Sequence, residues 1–198
     1  MIIWKTINDT EGNKFPFSHP EDEAQSPIRK RHFANSRMAL MECLVELAPE
    51  SHQKEASPLC LKDLAIKNHH QLENYPQLLV SLAHTRGLAA ACLAEKMDDV
   101  LAVGIDCEHS ERAFRSEILT KFAHENDKAI SPLHLWCAKE AAFKAASYFW
   151  KEEKTFVLKD ITIEGKTFVV PNLLQGTLSF ELKDDYLVAL AVVTKLLS

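Results

Sequence analysis

The stretch Val-Gly-Ile-Asp-Cys-Glu, residues 103–108, decides how the chain is read, together with Leu-Trp-Cys-Ala-Lys-Glu-Ala-Ala-Phe-Lys, residues 135–144. The first reads as the end of a β-strand. Strand side chains alternate, so Asp106 and Glu108 project to the same side. The second reads as a helix, with Ser131 as N-cap and Pro132 as its first residue. Ala138, Ala141, Ala142, Ala145 and Phe149 form an apolar stripe at three- and four-residue spacing. Glu140 lies about 200° around the axis from Ala138, with Lys144 one turn further along the same polar face. Singly these are ordinary features. Strand-end acids are mostly solvated, and a four-apart Glu–Lys pair stabilises a helix by roughly 0.2–0.5 kcal/mol. Should the strand end meet the polar face of the helix, three carboxylates and one ammonium converge, a setting for a hard divalent cation and a phosphate.

The 198 residues are 46% hydrophobic and 26% charged, which suits a soluble globular protein of one domain or two small ones. A net charge of −5 gives no reason to expect nucleic acid as a partner. The five cysteines (Cys43, Cys60, Cys92, Cys107, Cys137) are odd in number and lack a C-x-x-C pair. That points away from a disulfide framework or a zinc site and toward a reducing compartment. The opening run Met-Ile-Ile-Trp-Lys-Thr is too short for a signal peptide, and no stretch reaches membrane-spanning length. A cytoplasmic protein without a membrane partner is expected.

Before residue 103, residues 2–7 read as a short strand and residues 9–27 as a surface loop. The basic cluster Arg29, Lys30, Arg31 and His32 leads into a helix over residues 33–47, which also carries Arg37. Its predicted stripe is Ala34, Met38, Met41, Val45 and Ala48, widened by Leu40, Leu44 and Leu47. Such a cluster is either a solvated face or a clamp for a terminal phosphate, since guanidinium forks match phosphate oxygens in pairs. Residues 49–58 read as a linker, and residues 58–76 show no clear pattern; His69 and His70 are read as exposed. Residues 78–94 read as a hairpin turning at Thr85-Arg86-Gly87, with His84 beside the turn.

Beyond residue 108, Ser110 is read as the cap of a helix whose Phe114, Ile118 and Phe122 face inward, with Arg112 and Arg115 outside. Residues 155–158, 161–164, 167–170, 178–182 and 186–193 are β-prone, with turns at Gly165-Lys166 and Asp184-Asp185. A long helix followed by an Ala/Leu-rich hairpin occurs once in each half of the chain, which suggests a faint duplication.

Gly-Ile-Asp-x-Glu at 104–108 followed by Trp-x-x-Lys-Glu-x-x-x-Lys at 136–144 resembles the double signature of the 4'-phosphopantetheinyl transferases. The larger single-chain members, which prime surfactin and enterobactin synthetases, are similar to this chain along nearly all its length. The resemblance implies an α+β fold of two similar halves, residues 1–100 and 101–198, related by a pseudo-twofold axis, with coenzyme A in the cleft between them. Residues 31–40 resemble the family's early basic segment, whose arginines hold the coenzyme's 3'-phosphate. Ser81-Leu82-Ala83-His84-Thr85 resembles its Ser-x-Ser-His-Ser element, and Lys121-Phe122-Ala123 its Arg-Phe-Phe run. Two departures stand out. Ala83 replaces a serine, and Asn68-His69-His70-Gln71-Leu72 stands where the family carries Gly-Lys-Pro, so no residue is assigned to the adenine.

The implied reaction moves the phosphopantetheine arm of coenzyme A to a serine of an apo acyl or peptidyl carrier protein. By the same resemblance Asp106, Glu108 and Glu140 would ligate Mg²⁺, and Glu140 is the best candidate to take the serine proton, directly or through a metal-bound water. Lys144 and His84 would act on the phosphates, Arg31 and Arg37 on the 3'-phosphate, and Thr85 and Lys139 as further coenzyme contacts. Uncompensated, three carboxylates this close would raise one another's pKa. Arg112, Phe114 and Arg115 are the expected docking patch for an acidic carrier, and a monomer would suffice. Two rival readings share these residues: a magnesium-dependent hydrolase of nucleotides or pyrophosphates, and a module that only binds coenzyme A or a carrier.

Overall fold

Runs of alternating or continuous apolar character form the long strands of two antiparallel five-stranded sheets, which shorter strands complete, and one long helix covers each. A computed structural model describes residues 1–8, 27–47, 64–128, 131–151 and 153–197. The first sheet contains β1 (Ile2–Asn8), β2 (Ile66–Lys67), β3 (Gln71–Leu72), β4 (Leu78–Thr85) and β5 (Leu88–Glu95), with α1 (Pro27–Leu47) between β1 and β2. The second contains β6 (Ala102–His109), β7 (Thr162–Glu164), β8 (Thr167–Val170), β9 (Leu174–Lys183) and β10 (Tyr186–Leu196). Two helices, α2 (Ser116–Phe122) and α3 (Pro132–Ala146), lie between β6 and β7. The spatial order β1-β5-β4-β3-β2 recurs as β6-β10-β9-β8-β7. The fold class is α+β, and the two sheets share one topology.

Strand parity assigns each side chain to one of three cores. Ile3, Val80, Ala91 and Leu93 lie under Ala39, Leu40, Cys43 and Leu44 of α1. Their neighbours Leu79, Ala83, Ala90, Cys92 and Ala94 turn the other way and meet Val103, Ile105, Cys107 and Val188 of the second sheet. Leu187, Ala189, Ala191 and Val193 face α3. β5 and β10 are therefore covered on both faces, which is why their sequences are continuous apolar runs rather than alternating ones. Across the seam the Ile105 N–H donates to Ser81 Oγ at 3.1 Å, fixing β4 against β6.

Two glycines set close approaches. A Cβ on Gly104 would collide with the Ala141 carbonyl and lie 2.8 Å from the Ala145 nitrogen, so α3 rests directly on the backbone of β6. Gly87 closes the β4–β5 turn at φ +93°. It also makes room for the Tyr186 hydroxyl, which donates to the Arg86 carbonyl at 3.1 Å.

Several expected boundaries shift. α1 begins at Pro27, so Arg29, Lys30, Arg31 and His32 lie on the helix rather than ahead of it. Its buried face is Asn35, Ser36, Ala39, Leu40, Cys43 and Leu44, while Val45 is exposed. Polar residues at the start of the buried face disguised it; Ser36 satisfies its hydroxyl on the His32 carbonyl at 2.8 Å. Ser110 caps no helix, since α2 starts at Ser116, with Phe114 outside it and Ile118 exposed. α3 ends at Ala146, so Phe149 packs on the core from the turn beyond. Residues 155–158 form no strand and run into a single 3₁₀ turn at Leu158–Asp160. The loop expected at 9–27 lies outside the described residues except for Pro27, which opens α1, and the linker expected at 49–58, with Ala48 and Cys60, lies outside them altogether. Cys43, Cys92, Cys107 and Cys137 are buried free thiols. No described helix is long and apolar enough to cross a membrane.

Candidate active site

Parity places Asp106 and Glu108 on the α3 side of β6, as alternation predicts. Ser131 caps α3 by accepting the His134 N–H at 3.3 Å, and Pro132 occupies its first turn. Ala138, Ala141, Ala142 and Ala145 are fully buried against the sheet. That packing leaves Glu140 and Lys144 on the side that meets the strand end. Lys144 Nζ donates to Asp106 Oδ1 and to the Ile105 carbonyl, both at 2.9 Å. An ammonium has three donors, so one remains for a further acceptor. Asp106 Oδ2 is buried with no hydrogen-bond partner among the described residues.

Glu108 is held from three directions. Thr85 Oγ1 donates to Oε2 at 3.1 Å, the Trp136 indole N–H donates to Oε1 at 3.1 Å, and Arg112 forms an ion pair with the same Oε1. The Arg112 guanidinium also lies over the rings of Phe114 and Trp136, 4.9 Å from each centroid. The Thr85 hydroxyl, expected to meet a coenzyme, donates to Glu108, and Arg112, expected in a docking patch, reaches into the site from the segment after β6. Phe114 is half-buried against Phe122 and Trp136, while Arg112 and Arg115 on either side of it are exposed.

Burial is the first cause raising the Asp106 carboxyl above its ordinary value, with Lys144 opposing. Glu108 and Glu140 are raised for the same first reason, and charge on Asp106 adds to both. The mutual repulsion expected from sequence is present but second to desolvation. Among the described residues, no three His, Cys, Asp or Glu side chains form a ready set of metal ligands. The physical reason is visible: Lys144 takes one oxygen of Asp106, and Arg112 takes one of Glu108. The donor chemistry nonetheless fits a hard divalent ion, because all three groups offer carboxylate oxygens and Asp106 Oδ2 is orphaned at the buried end.

Lys144 also lines a cleft of about 940 Å³ whose walls include Arg37 from α1, Ser81 and Leu82 from β4, and Tyr148 and Lys151 beyond α3. Arg37 packs over the Phe33 ring, and its Nη1 is buried without a hydrogen-bond partner among the described residues. Burial lowers its pKa to about 10, so it stays charged at neutral pH. Arg31, partly buried on the same helix, does not line this cleft. His84 is exposed at the end of β4 with its ring 4.5 Å from that of His32. Partial burial, then His32 and Lys144, hold it below the usual imidazole value, while Asp106 opposes them.

Lys139 is the clear misassignment. It is fully buried in an ion pair with Asp127 at 2.8 Å and donates to the carbonyls of Ile161 and Leu158. No donor of it is left for a phosphate.

His70 corrects the sequence reading in the other direction. It is buried, with Nε2 3.2 Å from Ser147 Oγ and its ring edge-on to Tyr148. Burial lowers its pKa to about 4, so it folds as the neutral imidazole. A depressed folded pKa gives stability that is full above the unfolded value of about 6.5 and is lost as pH falls through 4. Wild type is therefore expected to lose about 3 kcal/mol more than His70→Gln between pH 7.5 and pH 4. Parallel denaturant melts of the two proteins at both pH values measure the difference.

No protein-family model matches the chain, and no curated protein matches it.

Proposed function

We propose that the protein transfers the 4'-phosphopantetheine group of coenzyme A to a serine of an apo acyl or peptidyl carrier protein. Under this proposal the two sheets with their helices are the two halves of the phosphopantetheinyl transferase fold. The observation that carries the reading is Lys144, which joins the carboxylates of β6 to a wide cleft whose opposite wall holds the buried, unpartnered Arg37 nitrogen. A ligand with phosphates on two positions of one nucleotide offers a partner to each of these cations.

In the proposed reaction the serine oxygen attacks the phosphorus that carries the pantetheine arm. The bond from that phosphorus to the bridging oxygen breaks, and adenosine 3',5'-bisphosphate leaves. Glu140, on the polar face of α3 beside Asp106 and Lys144, takes the serine proton. Lys144 offers its third donor to the leaving phosphate while Asp106 holds the ammonium in place. His84, neutral and exposed, hydrogen-bonds the phosphates from the first sheet. Asp106, Glu108 and Glu140 would hold Mg²⁺, which when bound neutralises charge on the pyrophosphate. Thr85 and Trp136 orient Glu108 for that purpose.

The test is to incubate the protein with Mg²⁺, coenzyme A and a panel of apo-carriers and weigh the products. A carrier heavier by one phosphopantetheine group supports transfer. Breakdown of coenzyme A without carrier labelling would make the protein a hydrolase, and retention without turnover a binding module.

A further inference from the structure

Glu108 meets Arg112 at Oε1, one of the two oxygens it would offer a cation. Oε1 already accepts the Trp136 indole N–H and the Arg112 guanidinium, and Oε2 accepts Thr85. An oxygen has two lone pairs, so Oε1 is filled. Thr85 and Trp136 are anchored in β4 and α3, whereas Arg112 comes from the segment between β6 and α2 with 39% of its side chain exposed. Of the three donors it is the one that is able to leave. The rings of Phe114 and Trp136 lie under the guanidinium while it holds Glu108, so its departure would uncover both.

Charge counting agrees. Lys144 plus a divalent ion balance Asp106, Glu108 and Glu140; Arg112 in place adds one positive charge in excess. We infer that Arg112 is a displaceable occupant of the cation site, holding Glu108 until a divalent cation takes that oxygen and turns the guanidinium outward. There it meets an acidic partner, so cation and partner favour each other's binding, and by linkage the effect is reciprocal. This inference rests on the proposed reading that these carboxylates receive a divalent cation. Arg112 is a positioning residue in it, since it acts on the site through Glu108.

Mn²⁺ binding to wild type, Arg112→Gln and Asp106→Asn, followed by the resonance signal of the free ion, tests this directly. Arg112→Gln is expected to bind Mn²⁺ at least about tenfold more tightly than wild type, because a competing charge a few ångströms away is gone. Asp106→Asn is expected to lose binding. Equal or weaker binding by a natively folded Arg112→Gln overturns the inference and leaves the cation site standing. No binding by wild type or Arg112→Gln overturns the site and the inference with it. If Arg112→Gln does not fold, Mg²⁺ titration of wild type against Trp136→Phe gives the second readout. A change in emission present only in wild type marks the guanidinium leaving the Trp136 ring. No such change at Mg²⁺ concentrations that displace bound Mn²⁺ overturns the inference.

Discussion

Glu140→Gln is expected to lower kcat for carrier modification by roughly 10²–10⁴-fold, the usual contribution of a positioned general base. The substitution keeps the shape of the side chain and one acceptor oxygen, so α3 has no reason to move. What it removes is the capacity to take a proton, along with one negative charge beside Asp106 and Glu108. Coenzyme A binds chiefly through its phosphates in the proposed complex, so its KM should change little. The split between kcat and KM is therefore diagnostic: a loss confined to the chemical step identifies the proton acceptor. Steady-state rates at saturating carrier, with Mg²⁺ in excess to offset the weaker site, supply the measurement. A variant that retains more than about a tenth of the wild-type rate removes Glu140 from the base role.

The second large effect comes from a residue with no side chain. Gly104→Ala is expected to destabilise the protein by about 3 kcal/mol or more, at the upper end for overpacking, because the new methyl meets backbone rather than a flexible side chain. Neither β6 nor α3 is able to yield easily: β6 is hydrogen-bonded along its length to β10, and α3 seats five fully buried alanines on the sheet. Relief requires α3 to lift away from the strand. That movement would also lengthen the Lys144 contacts to Asp106 and the Ile105 carbonyl. Melting temperature and transfer rate should fall together, by roughly 6–12 °C for the former in a chain of this size. An unchanged melting temperature would contradict the close contact.

The parts of the site legible in the sequence were those governed by local periodicity. Alternation in residues 103–108 and the Ser131-Pro132 start of α3 are short-range rules, and both the parity of Asp106 and Glu108 and the cap follow from them. The role of Lys139 was not legible, because its neighbour on the helix wheel is decided by Asp127 in a distant loop. His70 escaped for a similar reason: its burial depends on Ser147 and Tyr148, far along the chain. The register of α1 failed because Asn35 and Ser36 occupy its buried face, where polar residues are read as surface. Arg112 had a signal that went unused, a guanidinium four residues after Glu108 and next but one to Phe114. The indole of Trp136, conspicuous in the signature, pointed to a hydrogen-bond partner without saying which.

Each five-stranded sheet and its helix come from one unbroken run of polypeptide, ending at Glu95 in the first case and beginning at Ala102 in the second. Residues 96–99, between them, are exposed. Severing that connection would cut the chain without dismantling the molecule, since the seam from Leu79 to Val188 and the Ser81–Ile105 hydrogen bond would still clasp the pieces. In mechanical terms the two halves are held by contact as well as by the chain, and the proposed reaction centre lies beside the joint between them.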